Sequence, residues 1–153
     1  KRSKEGDIVA MWEELYTMQK TYQDITQGIR PWNALGDFMN YFFGYTPECR
    51  EALVQESIQE PINPTTEQHQ WAVFCAASVE YLCQRYNVPC PVWVHDVAFL
   101  ALTEPWFEAL GADKPQVQKR LQQETPEPFA RRNIFCGNRV FANKYELAAK
   151  VRP

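Results

Sequence analysis

The sequence predicts an all-α protein: a compact multi-helix single domain with a long N-terminal helix and an irregular C-terminal clasp. Three observations predict it. Apolar residues recur at spacings of three and four through most of the chain. Thr, Pro, Gly and Asn stand where helices should start and stop. The only β-branched run, "VWV" at 92–94, lacks a second strand strong enough to pair with it. The 153 residues suit one domain and a core that needs no staples. Three parts are expected within it: a long amphipathic helix over 5–27, a helical core over 31–124 and a basic, aromatic clasp over 125–141.

In chain order, Ile8, Met11, Leu15, Met18, Tyr22 and Ile25 alternate spacings of three and four, a seam of almost three heptads. Such a seam packs on its own domain or pairs two copies as a homodimer. Gly28 and Pro31 end it. "PWNALGDFMNYFF" places Trp32, Leu35, Phe38, Met39, Phe42 and Phe43 on a wide apolar stripe, a core helix over 31–43. Thr46 and Pro47 open a short helix carrying Leu53 and Val54. The strongest helix is 66–87, capped by Thr65 or Thr66. It carries Trp71, Phe74, Cys75, Ser78, Val79, Leu82 and Tyr86 and stops at Asn87. "VWVHDVAFLAL" reads as an extended lead into a buried helix. "TEPWFEALG" predicts a two-turn helix burying Trp106, Phe107 and Leu110. Asp113 caps a helix over 114–124 that buries Val117 and Leu121. A last short helix is expected around 142–150.

Composition narrows the classes. The chain is 45% hydrophobic, and its five Trp, seven Tyr and nine Phe predict a bulky core. No apolar run reaches the roughly 18–20 residues that span a bilayer, and no signal-peptide core is visible. Five cysteines without a C-x-x-C pair suit free thiols in a reducing cytoplasm. The chain opens at Lys1 without a methionine, which fits a piece of a longer protein. The net charge of −3 conceals a split, −9 over residues 1–113 and +6 over 114–153. That split steers an anionic partner to one end, or lets the tail pack on the body.

Chemistry is sparsely provisioned. The two histidines, His69 and His95, with Asp96 and Asp113, have the order of ligands in HD-type metal-dependent phosphohydrolases, where His and Asp from several helices hold a water-activating cation. The blander alternative makes His95 a partly buried residue beside Trp93, held by an acceptor such as Asp96. Nothing selects a Cys–His nucleophilic pair, and no glycine-rich phosphate loop exists. The residues call for no catalytic group, no cofactor and no metal.

The informative stretch is "TPEPFARRNIFCGNRVF" at 125–141. Its prolines forbid a continued helix. Lys119, Arg120, Arg131, Arg132, Arg139 and Lys144, interleaved with Phe129, Phe135 and Phe141, could neutralise phosphates and stack on unpaired bases. Arg and aromatics are equally the residues of protein interfaces. The expected arrangement has Phe129, Ile134 and Phe135 locking the segment onto the body. Arg131, Arg132 and Arg139, with Asn133 and Phe135, then pair with the domain's own acids or meet a partner.

"PWNALGDFMNYFF", "WAVFCAASVEYLC", "PVWVHD", "EPWFEAL" and "TPEPFARRNIF", in this order over 31–136, resemble a family of small helical bacterial proteins of uncharacterised activity. Its members often follow a helix-turn-helix domain or are encoded beside nucleotidyltransferase-like proteins, as in toxin–antitoxin pairs. The resemblance marks Trp93, His95, Asp96, Pro105, Trp106, Phe129, Arg131, Arg132, Asn133 and Phe135. In this chain the heptad seam stands where a DNA-binding domain would be. The functional expectation is a non-catalytic intracellular protein-interaction module, antitoxin-like or regulatory. The alternatives are a nucleic-acid-binding regulator acting through the basic segment and, last, the HD-type hydrolase.

Overall fold

One helix organises the molecule. In a computed structural model, which describes residues 15–143, the α-helices are α1 (Met18–Thr26), α2 (Pro31–Asn40), α3 (Arg50–Val54), α4 (Thr66–Tyr86), α5 (Pro115–Glu124) and α6 (Glu127–Ala130). The strongest periodic segment of the sequence becomes α4, and it is central rather than amphipathic. Residues 71–80 are buried without a break, so neighbours cover its whole circumference there. α1 lies against α2, α3 and α4, while α6 and two 3-10 turns, Val92–His95 and Val97–Phe99, cover another side of α4.

The caps explain its length. The Thr65 hydroxyl accepts from the Gln68 amide at 3.0 Å, and Gln68 Oε1 accepts from the Thr65 amide at 2.9 Å, a reciprocal capping box. Asn87 ends the helix in the left-handed region at φ 55°. Thr65→Ala should cost about 1 kcal/mol and lower the melting temperature by roughly 2–4 °C, measured by circular dichroism.

Several expectations need correction. A continuous helix over 5–27 does not form, because Thr17 is extended at φ −75°, ψ 165° and its hydroxyl caps α1. Ile8 and Met11 lie outside the described residues, as does most of the terminal helix expected over 142–150. Leu15, Met18 and Tyr22 are buried in this domain's own core, and Ile25 packs against it, so this part of the seam is not a free dimer surface. α2 continues into a π-helical turn over Tyr41–Tyr45, and the Thr46 hydroxyl donates to the Tyr41 carbonyl instead of capping a helix. The "VWVHDVAF" stretch is neither strand nor buried helix but the two 3-10 turns. Lys114, not Asp113, stands at the start of α5.

The largest correction concerns "EPWFEALG". Trp106–Phe107 is a strand, β1, and Leu110 is 97% exposed. β1 pairs in parallel with β2 (Ile134–Phe135), in the register Trp106 with Ile134 and Phe107 with Phe135. The Trp106 amide donates to the Asn133 carbonyl at 2.8 Å, and the Glu108 amide to the Phe135 carbonyl at 3.1 Å. This two-stranded sheet is the one element of the described residues outside the helical expectation. The fold is otherwise predominantly helical, and no helix of the described residues is long and apolar enough to cross a membrane.

Candidate functional site

The clasp is built around a buried charge. Arg132 is 1% exposed. Its Nη1 donates to Glu80 Oε1 at 2.7 Å and to the Pro128 carbonyl at 2.8 Å, its Nε to the Phe99 carbonyl at 2.8 Å, and its Nη2 to the Val94 carbonyl at 2.9 Å. One guanidinium therefore ties α4, both 3-10 turns and α6 together. The planar fork of five donors suits such a junction, which a lysine could not reproduce. Arg131 also donates to Glu80 Oε1, and its Nη1 reaches Glu127 Oε1 at 2.9 Å. Burial pushes the Glu80 carboxyl up, but hydrogen bonds from Arg132 and Arg131 outweigh it and hold the carboxyl below its ordinary range.

That lowering has a pH consequence. A depressed folded-state pKa stabilises the fold in full above the unfolded value, near 4.5, and the contribution is lost as pH falls through the folded value. The urea midpoint of the wild type should therefore decline below about pH 4 more steeply than that of Glu80→Gln, whose side chain does not titrate.

Of the residues expected to meet a partner, Arg132 must be withdrawn, because every direction around it is occupied by its own chain. Asn133 is structural as well. It sits at φ 67°, where Asn is tolerated, and its Nδ2 donates to the Leu102 carbonyl at 3.0 Å. Phe135 is half-buried and stacks on Phe107 at 5.2 Å. Phe129 is buried among Phe74, Tyr81 and Phe141. The aromatic side chains required for stacking on bases are thus largely enclosed, and Arg120 pairs with Glu124. Arg139 is exposed, on a cavity of about 460 Å³ that it shares with Arg120. Lys144 lies outside the described residues.

The His–Asp residues do not converge. Among the described residues no three His, Cys, Asp or Glu side chains are placed to hold a metal ion. His69 Nδ1 lies 2.9 Å from Glu60 Oε1. His95 and Asp96 are both exposed, so the expectation of a partly buried, acceptor-held His95 fails too, while Trp93 beside it is buried and donates from Nε1 to the Val54 carbonyl at 3.0 Å. Burial pushes the Cys83 and Cys136 thiols up to about 12, away from nucleophilic thiolates at neutral pH.

What the fold does bring together is tryptophan. Trp32 opens α2, Trp71 lies in the second turn of α4, and Trp106 begins β1. Trp71 meets Trp106 edge to face at 5.0 Å and Trp32 at 5.8 Å. The three line an open cleft of about 720 Å³, with Arg30, Asn33, Glu67, Gln70 and Glu108 among its polar walls. Trp32 Nε1 donates to Glu108 Oε1 at 3.3 Å, linking the α2 and β1 sides. Neither the Trp71 nor the Trp106 indole N–H has an acceptor among the described residues, although Trp71 is only 5% exposed. No buried polar side-chain atom among them is both sealed and unbonded. These two N–H groups therefore retain access to solvent.

The clasp and the cleft are one construction. β2 holds β1 by main-chain bonds at Trp106 and Glu108, and Asn133 and Leu102 fix the approach to it. The sequence pattern did not reveal the cleft, since it marks Trp32, Trp71 and Trp106 one by one as core residues. Trp32 departs most from that reading, since it stands in the first turn of its helix and is 42% exposed.

No family model, no curated protein and no solved structure matches the chain. The site stands on its geometry.

Proposed function

We propose that this protein is a non-catalytic interaction module that receives a segment of a partner protein in the cleft of Trp32, Trp71 and Trp106. The observation that carries the reading is the convergence of three large aromatic walls with two indole donors that nothing in the described chain satisfies. Tryptophans lining a concave, partly polar site are among the groups that dominate binding energy at protein interfaces. Apolar residues such as Ile62, Val92 and Val97 are exposed outside the cleft as well, without a convergence of tryptophans beside them. The basic clasp supports this role indirectly, by holding Trp106 and Glu108 in place. An antitoxin-like or regulatory partner protein would use such a module, and the reading does not depend on which.

A random peptide-display selection tests it. Clones enriched on the wild type should bind Trp32→Ala at least about tenfold more weakly, with the variant's fold checked by circular dichroism. Enriched clones that bind both proteins equally would place the binding surface elsewhere.

A further inference from the structure

We infer that the segment this cleft accepts is a proline-rich strand in the polyproline II conformation, flanked by a basic residue. The inference rests on the preceding reading of the cleft as a peptide site. Three features of the walls point to it.

The first is the pair of unsatisfied indole donors. Trp71 and Trp106 offer N–H groups and no acceptors, so the ligand must bring acceptors of its own. A polyproline II strand has no internal hydrogen bonds, and its carbonyls project free along its length. Proline has no N–H, so such a strand leaves few donors unmatched against an aromatic wall.

The second is the shape of the walls. The Trp71 ring stands at 87° to Trp106 and 89° to Trp32, so the walls present ring faces and ring edges side by side. Pyrrolidine rings are compact, rigid and apolar and pack on such walls with little loss of freedom. A preformed strand also loses less entropy on ordering than a flexible one.

The third is charge. Glu67 and Glu108 contribute two carboxylates, against one guanidinium, Arg30, among the lining residues. Glu67 lies in the first turn of α4, where it complements the positive end of that helix. Glu108, already an acceptor for Trp32, is the wall's stronger candidate to meet an incoming cation. A basic flank on one side of the prolines would fix the direction in which the strand lies.

The test uses fluorescence anisotropy with labelled, blocked peptides of about ten residues, roughly three polyproline turns. The first peptide carries a proline-rich centre with an Arg flank. In the second the prolines become Gly, and in the third the Arg becomes Glu. Expected are saturable binding of the first, at least about tenfold weaker binding of the second, and about two- to fivefold weaker binding of the third. Glu108→Gln should erase the Arg preference and keep the proline preference. Equal affinity for the proline and glycine peptides overturns the inference while leaving the cleft a peptide site. Binding of display-selected peptides without binding of the proline peptide overturns it in the same way. If no peptide binds and a neutral oligosaccharide does, both the inference and the peptide reading of the cleft fall.

Discussion

Arg132→Ala is expected to cost about 3–5 kcal/mol, because it removes the enclosed partner of a buried ion pair and leaves Glu80 only the half-exposed Arg131. For a chain of this size, that lowers the melting temperature by roughly 6–20 °C. Besides Glu80, the change strips the Phe99, Val94 and Pro128 carbonyls of their donor. Arg132→Lys should recover little, since a single ammonium cannot address acceptors spread around a planar fork. Arg131→Ala makes the informative contrast. Its side chain is 41% exposed, and one of its two carboxylate partners, Glu127, is 67% exposed, so a loss of about 1 kcal/mol is expected. Differential scanning calorimetry of the three variants decides the matter. If Arg131→Ala proved the more damaging, the assignment of the junction to Arg132 would be wrong.

Phe129→Ala should be comparably severe, at about 3–5 kcal/mol. Its ring fills the space between α4 and the clasp, 5.2 Å from Phe74, 5.8 Å from Tyr81 and 6.4 Å from Phe141. Truncation opens a cavity that rigid aromatic neighbours cannot easily close. The two changes should also couple. Arg132 and Phe129 anchor the same short segment, so once either releases it the other has less left to lose. The double variant should fall short of the sum by about 0.5–3 kcal/mol in a denaturant-melt cycle. Additive losses would mean that the two anchors hold separate pieces.

The helical frame was legible because its signals are local. Thr65 announces the start of α4 and Asn87 its end, and Pro31 opens α2 as its position suggests. The N-terminal seam misled because a heptad pattern does not say which surface covers it, and here the covering is the domain's own core. "PWF" misled for another reason. Its aromatic residues satisfy a helical spacing as well as a strand, and the choice was made by β2, far along the chain, through main-chain bonds that leave no local trace.

The clasp was half legible. Its aromatics and arginines marked it as an anchor, but the sequence did not say which arginine would be enclosed. Glu80 held that information. A carboxylate within the apolar run 71–83 of a core helix needs a buried cation, and "RR" at 131–132 is the chain's one pair of adjacent arginines. The cleft was the least legible part. Trp32, Trp71 and Trp106 are far apart in sequence, and only the packing of the chain around α4 and the pinning of β1 by the clasp bring them together.

Binding at these three tryptophans would leave a direct spectroscopic signature. The most direct measurement is fluorine NMR of protein labelled with 5-fluorotryptophan, titrated with a peptide enriched by display. The five tryptophans give five resonances, each assigned by substitution to Phe. Signals of Trp32, Trp71 and Trp106 should move together and saturate, while Trp93, buried with its N–H on the Val54 carbonyl, stays in place. Saturable binding that leaves those three signals unmoved would place the binding surface elsewhere.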